Sequence, residues 1–203
     1  KIDWKRVGFS FMIWSVFTIV STLLFYFSNP SDFVVNFKPI PFAILVVIGV
    51  LLIPIQTSSE EYIFRGYLMQ GFANLAQNKW FPLLMTSVIF GGMHIFNPEV
   101  AKIGYIVLVY YIGTGLLLGI ITLMDEGMEL ALGFHAANNL VGALLVTSDW
   151  SAFQTNSIFK DISDPSAGLD VILPVVLIYP ILLFIFSKKY NWTNWKEKLT
   201  GNI

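Results

Sequence analysis

The chain has 203 residues, of which 56% are hydrophobic and 12% are charged, and its mean hydropathy is +0.70. This composition excludes an ordinary soluble domain and predicts one multi-pass membrane domain that covers residues 1–203. The net charge of -1 gives no electrostatic basis for nucleic-acid binding, and the absence of cysteine excludes disulfides, thiolate nucleophiles and thiolate metal sites.

Apolar runs separated by polar breaks predict an all-α fold, a polytopic bundle with seven membrane segments in this chain. The first run follows a basic, tryptophan-containing stretch and is long enough to cross a hydrocarbon core of about 30 Å. Pro54 ends the shorter second run and predicts a kink or break before the third. The seven predicted segments are residues 7–27, 42–55, 58–77, 80–96, 103–124, 130–146 and 171–187.

The third predicted segment is amphipathic, whereas its neighbours are uniformly apolar. It opens on Ser58 and Ser59, either of which can cap a helix, and these are followed by Glu60 and Glu61 in the predicted first turn. Its polar side chains are therefore expected to face protein or water.

The fifth segment carries no predicted chemistry. Gly115 and Gly119 lie in the fifth segment with the G-x-x-x-G spacing that lets helix backbones approach closely, so we predict a packing role for them. Residues 149–170 form a predicted polar loop. The basic, aromatic tail after residue 187 is expected on the cytoplasmic side.

The number of spans is tied to the charge of the two ends of the chain. Seven spans place the ends on opposite faces, yet both ends are basic, which conflicts with the positive-inside rule at one of them. Because the chain begins with Lys1 and not with methionine, we expect an eighth helix before it in the full protein. The alternative is that the third segment does not cross fully.

Three ionisable side chains at residues 60–65 stand out from their apolar surroundings. Such a cluster costs several kcal/mol in hydrocarbon unless it is paired or lines a water-filled cavity, so it indicates a functional site. Glu61 and Arg65 are four residues apart and share a helical face, which predicts an ion pair. Glu60 points about 100° away around the helix and can face a cavity. The alternative is an interfacial charge cluster at a helix end.

Both histidines of the chain, His94 and His135, fall inside predicted membrane segments. A single buried histidine is often structural, but two of them together with two glutamates and an arginine indicate a site. Asn139 follows His135 by four residues, so an imidazole and an amide share one helical face. Asn138, at three residues from His135, is the alternative amide for the same cavity.

A carboxylate, two imidazoles and an amide are the groups needed to activate water against an amide bond and to stabilise the oxyanion. Peptide hydrolysis fits this set best. A rival arrangement uses Glu60, His94 and His135 as zinc ligands, with water in the open position. The sequence has no H-E-x-x-H, so the zincin helix is absent.

Three ordered motifs carry a resemblance to a known family. EEYIFR at residues 60–65, FGGMH at 90–94 and HAANN at 135–139 resemble the E-E-x-x-x-R, F-x-x-x-H and H-x-x-x-N motifs of the CPBP family. This family comprises intramembrane CAAX prenyl proteases and bacteriocin-processing or immunity proteins, and it is also called Abi. The motif core covers about residues 42–146.

The resemblance implies an all-helical membrane endopeptidase in the prokaryotic cell membrane, with eight helices in the full protein. It implies that Glu60 and His94 activate water, that His135 and Asn139 form the oxyanion hole, and that Glu61 and Arg65 support them from behind the site. It favours a glutamic peptidase without a bound metal, whereas zinc is the alternative cofactor.

The implied partners are the lipid bilayer and a peptide or protein substrate that enters from the membrane, whether CAAX-like, bacteriocin-type or another membrane-associated peptide. Two other classes stay open. One is a non-catalytic membrane immunity or scaffold protein of the same family, and the other is a small transporter that uses the same buried groups.

Overall fold

The computed structural model describes residues 1–166 and 168–203 and is mostly helical. Two of the helical runs contain π-helical stretches, Tyr62–Leu68 and Pro174–Ile178, and a short 3₁₀ turn covers Pro30–Asp32. The α-helices are α1 (Trp4–Ser28), α2 (Pro39–Glu61), α3 (Met69–Ala76), α4 (Trp80–Gly92), α5 (Pro98–Ile103), α6 (Val107–Asp125), α7 (Glu129–Leu145), α8 (Leu169–Leu173), α9 (Tyr179–Tyr190) and α10 (Trp195–Thr200).

Four helical runs of the described residues are long and apolar enough to cross a membrane, and the chain is an integral membrane protein. The number of predicted segments is not confirmed. At 13 residues, α4 is only about 20 Å long, and the 17 residues of α7 reach about 26 Å. The four candidate spans are Trp4–Ser28, Pro39–Ala76, Val107–Asp125 and Val171–Tyr190.

The second and third predicted segments are one continuous helical run, Pro39–Ala76, so the alternative of a break at Pro54 is wrong, and the kink stays a prediction. The helix passes through Pro54, whose missing N–H removes the helical bond to the carbonyl of Val50, and membrane helices tolerate such prolines. Thr57 Oγ1 donates to Ile53 O at 3.0 Å in the following turn. The predicted cap is also wrong, because Ser59 lies inside the helix and its Oγ donates to Ile55 O at 2.9 Å.

Three short strands depart from the predicted all-α class. They are β1 (Phe33–Val35), β2 (Val146–Ser148) and β3 (Phe159–Asp161), in the order β1-β3-β2. Strand β3 pairs antiparallel with β1 and parallel with β2. Each strand has only three residues, which is too short for an alternating apolar–polar pattern to predict it. The strands also pair between stretches that are far apart in the sequence.

The chain divides into two compact units. The first comprises Lys1–Ser59 and Leu132–Pro165, and the second comprises Glu60–Ala131 and Ser166–Ile203. In the first unit, α1 and α7 approach so closely at Gly133 that an added Cβ would lie 3.0 Å from Phe11 N. The first unit therefore holds these two helices backbone to backbone.

In the second unit, α4 and α6 make a similarly close contact. A Cβ added at Gly115 would lie 2.9 Å from Ser87 Cα, closer than side chains normally approach. The predicted packing role of this glycine is confirmed. The same contact brings the backbone of α6 close to the helical run that precedes α4, so that a side chain of that run can bind an α6 carbonyl.

Candidate active site

The predicted ion pair between Glu61 and Arg65 is formed inside the second unit. Arg65 Nη1 lies 3.2 Å from Glu61 Oε1, and both side chains are 0% exposed. The two residues belong to the continuous helical run, so the pair is neither at a helix end nor at the surface. The alternative of an interfacial charge cluster is therefore wrong for these two residues.

Arg65 is held by more than its carboxylate partner. Its Nη2 donates to Gly115 O at 2.9 Å, and its guanidinium carbon lies 4.7 Å from the centre of the Phe90 ring. These contacts reach α6 and α4, and the guanidinium carbon is also 5.7 Å from the Phe64 ring, which lies edge-to-face against Phe90 with 5.4 Å between ring centres. Arg65 thus ties three helical segments of this unit together at one buried point.

Glu60 occupies a different environment from Glu61. Its side chain keeps partial exposure, whereas Glu61 is fully buried, as expected for adjacent positions about 100° apart on a helix. Glu60 nevertheless lies close enough to Arg65 for the two charges to interact. The sequence predicted that Glu60 would be isolated from Arg65. In the structure this isolation is incomplete, because the two charges interact.

His94 lies in the turn that follows α4 and not inside a membrane helix, which corrects the sequence prediction. Its Nδ1 is 2.8 Å from Phe90 O, and its ring stacks on Tyr111 with 4.2 Å between ring centres. Because a carbonyl oxygen only accepts hydrogen bonds, Nδ1 must carry the proton. In the tautomer with its proton on Nδ1, Nε2 keeps its lone pair and can accept a hydrogen bond from a water molecule.

Tyr111 and Asn97 were not identified from the sequence. Tyr111 supports the face of the His94 ring, and Asn97 Nδ2 donates to Tyr111 Oη at 3.2 Å. Asn97 follows the fourth predicted segment and stands before a proline, while Tyr111 is one aromatic residue within the apolar fifth segment. Only their positions in the folded unit connect them to the histidine.

In the first unit, α7 carries His135 and Asn139 one helical turn apart. His135 is buried, with 4% of its surface exposed, and the helix is continuous through both residues. The predicted shared face is therefore present. Asn139 Oδ1 accepts from Asn138 Nδ2 at 3.1 Å, and Asn138 Oδ1 accepts from the indole Nε1 of Trp14, also at 3.1 Å. Trp14 was not identified from the sequence.

The candidate residues are divided between the two units. Glu60, Glu61, Arg65 and His94 belong to the second unit, and the α7 residues belong to the first. Within either unit, the described residues form no group of three histidine, aspartate or glutamate side chains that could hold a metal ion.

Comparisons with known proteins bear on the same residues. Residues 36–141 match the family described as "Type II CAAX prenyl endopeptidase Rce1-like", a range that contains all three motifs. The chain is also 31% identical over 154 residues to "Uncharacterized protein YyaK" of Bacillus subtilis (strain 168), covering 75% of this chain and 52% of that protein. It thus spans about half the length of this relative. No solved structure matches significantly.

Proposed function

Because this chain belongs to the Rce1-like family of type II CAAX prenyl endopeptidases, we propose that it is an intramembrane endopeptidase. The observation that carries the proposal is the arrangement around Glu60. A partly exposed carboxylate stands beside a fully buried glutamate–arginine pair, within a helical run of membrane-spanning length. An isolated pair could be structural, whereas the additional carboxylate provides a base.

Glu60 and His94 are the proposed groups that activate water. His94 Nε2 accepts one water proton as a hydrogen bond, because Nδ1 is committed to Phe90 O. Glu60 takes the other proton as the water oxygen attacks the substrate carbonyl. When the tetrahedral intermediate collapses, Glu60 returns that proton to the leaving nitrogen and is again a carboxylate, as it was before the reaction.

His135 and Asn139 are the proposed donors to the oxyanion. Asn139 directs its oxygen at Asn138, which leaves its amide nitrogen for donation. His135 stands one turn earlier on the same face of α7. Donors of this kind act on charge that develops only in the transition state, so they raise kcat more than they strengthen substrate binding.

Glu61 and Arg65 have a supporting role in this proposal. The buried pair neutralises the arginine, and the arginine fixes the helical run against α4 and α6. Glu60 immediately precedes Glu61 in that run, so the run also fixes the position of Glu60. We therefore expect variants of the pair to fail in folding before they fail in chemistry.

We propose that the reaction needs no metal. The Asn139 donor and the buried pairing of Glu61 with Arg65 suit a glutamic mechanism, whereas a histidine whose Nδ1 donates to a backbone carbonyl is compatible with either mechanism. The alternative zinc set is Glu60, His94 and His135. The enzyme is proposed to be a multi-pass protein of the prokaryotic cell membrane that receives CAAX-like, bacteriocin-type or other membrane-associated peptides from the bilayer.

The test is a search for cleaved peptide bonds. The purified full chain, in detergent and in liposomes, is incubated with a library of lipidated and unlipidated peptides, and the products are identified by mass spectrometry. We expect cleavage that disappears with Glu60→Ala and persists with Glu126→Gln, since Glu126 is an exposed carboxylate. A folded parent protein that cleaves nothing in either setting favours an immunity or scaffold protein.

A further inference from the structure

We infer that Trp14 is a positioning residue that orients the amide of Asn139 through Asn138. The inference rests on the proposed function, because it assigns Trp14 a part in holding one of the proposed oxyanion donors. All three residues belong to the first unit, so the relay is contained within one compact part of the molecule.

The first hydrogen bond fixes which way Asn138 faces. The Trp14 indole nitrogen can only donate, and it lies 3.1 Å from Asn138 Oδ1. The amide oxygen of Asn138 is therefore directed at α1 and its amide nitrogen away from it. The two residues are 124 positions apart, so the contact depends on the packing of α1 against α7.

The second hydrogen bond transfers that orientation to Asn139. Asn138 Nδ2 is a donor and lies 3.1 Å from Asn139 Oδ1, so the oxygen of Asn139 faces its neighbour. Among the described residues, Asn139 Nδ2 makes no hydrogen bond. The relay thus presents the donor end of this amide, which is the end that an oxyanion requires.

Trp14 is fixed well enough to serve as the start of the relay. It is 5% exposed, its ring centre lies 4.4 Å from that of Phe134 on α7, and it stacks on Phe17 at 4.9 Å. A tryptophan in a membrane-spanning helix that turns inward needs a partner for its N–H, and Asn138 supplies it.

Two substitutions interrupt the relay at different points. Trp14→Phe retains an aromatic ring but removes the N–H that donates to Asn138 Oδ1, so this contact no longer orients the Asn138 amide. Asn138→Asp retains an oxygen that accepts from the indole, but its carboxylate has no N–H to donate to Asn139 Oδ1. Trp4→Phe is the control, because Trp4 lies on the same helix and is 72% exposed.

The expected effect is smaller than the loss of an oxyanion donor itself. Removing such a donor costs about 10²- to 10³-fold in kcat, so disordering its orientation is expected to cost on the order of 10-fold. The KM is expected to stay unchanged, since the donor acts in the transition state. In an Asn139→Ala background, Trp14→Phe is expected to cause no further loss.

The test combines kinetics with an NMR readout that does not depend on activity. Asparagine side chains are labelled with ¹⁵N in the full chain, and the Asn139 amide signals are assigned by their loss in Asn139→Ala. We expect both relay variants, but not the control, to move these signals and to lower kcat.

Unchanged Asn139 signals in both relay variants would overturn the inference, as would a kcat loss that adds fully to that of Asn139→Ala. If the parent protein proves inactive, the proposed function fails while the NMR signals still decide whether the relay exists.

Discussion

Breaking the Glu61–Arg65 pair is expected to destabilise the protein strongly. Both side chains are 0% exposed, so Arg65→Ala leaves a carboxylate buried without its cation, at a cost of about 3 to 5 kcal/mol. The same substitution removes the bond from Arg65 to Gly115 O and the stacking on Phe90. For a chain of this size, such a loss lowers the melting temperature by about 6 to 20 °C.

Thermal unfolding in one detergent, followed by tryptophan fluorescence, measures the effect. Arg65→Ala, Glu61→Gln and the double variant form a cycle in which the double variant is expected to lose less than the sum of the single losses. Lys160→Ala is the matched control, because Lys160 and Asp149 form a pair whose side chains are 30% and 81% exposed. Such a pair contributes about 0 to 1 kcal/mol. Parent-like melting of both Arg65→Ala and Glu61→Gln would refute the reasoning.

Two further predictions concern the chemistry. Activity is expected to survive EDTA and phenanthroline, and elemental analysis of the active protein is expected to find no stoichiometric zinc; loss of activity that zinc restores would favour Glu60, His94 and His135 as ligands. His135→Ala and Asn139→Ala are each expected to lose about 2.7 to 4 kcal/mol of transition-state stabilisation, which lowers kcat with little change in KM. In the double variant, the loss is expected to be less than the sum of the two single losses. A folded Asn139→Ala protein with parental kcat would transfer that role to Asn138 or to backbone donors.

Contacts within one helical turn could be predicted from the sequence. The Glu61–Arg65 pair and the shared face of His135 and Asn139 both follow from a spacing of four residues, and both helices are present. The different exposure of Glu60 follows from the helical period in the same way. Such contacts depend only on the local geometry of the helix, which is the same wherever a helix forms.

Contacts that depend on how helices pack could not be predicted. Trp14 and Asn138 meet across 124 positions, and Tyr111 meets His94 only after α4 and α6 have packed together. Pro54 misled the interpretation because its local cost is offset in a helix that is otherwise strongly apolar. His94 was assigned to a membrane segment because the apolar run continues past Gly92, where the helix ends.

The role of Glu60 as the base is tested by the turnover of one cleaved peptide by the parent, Glu60→Gln and Glu126→Gln proteins in the same liposomes. Glu60→Gln preserves the shape of the side chain and removes its basicity. We expect a fall in kcat on the order of 10² or more for Glu60→Gln and parental turnover for Glu126→Gln, because the Glu126 carboxylate is 75% exposed. Near-parental turnover by Glu60→Gln would contradict the role of Glu60 as the base.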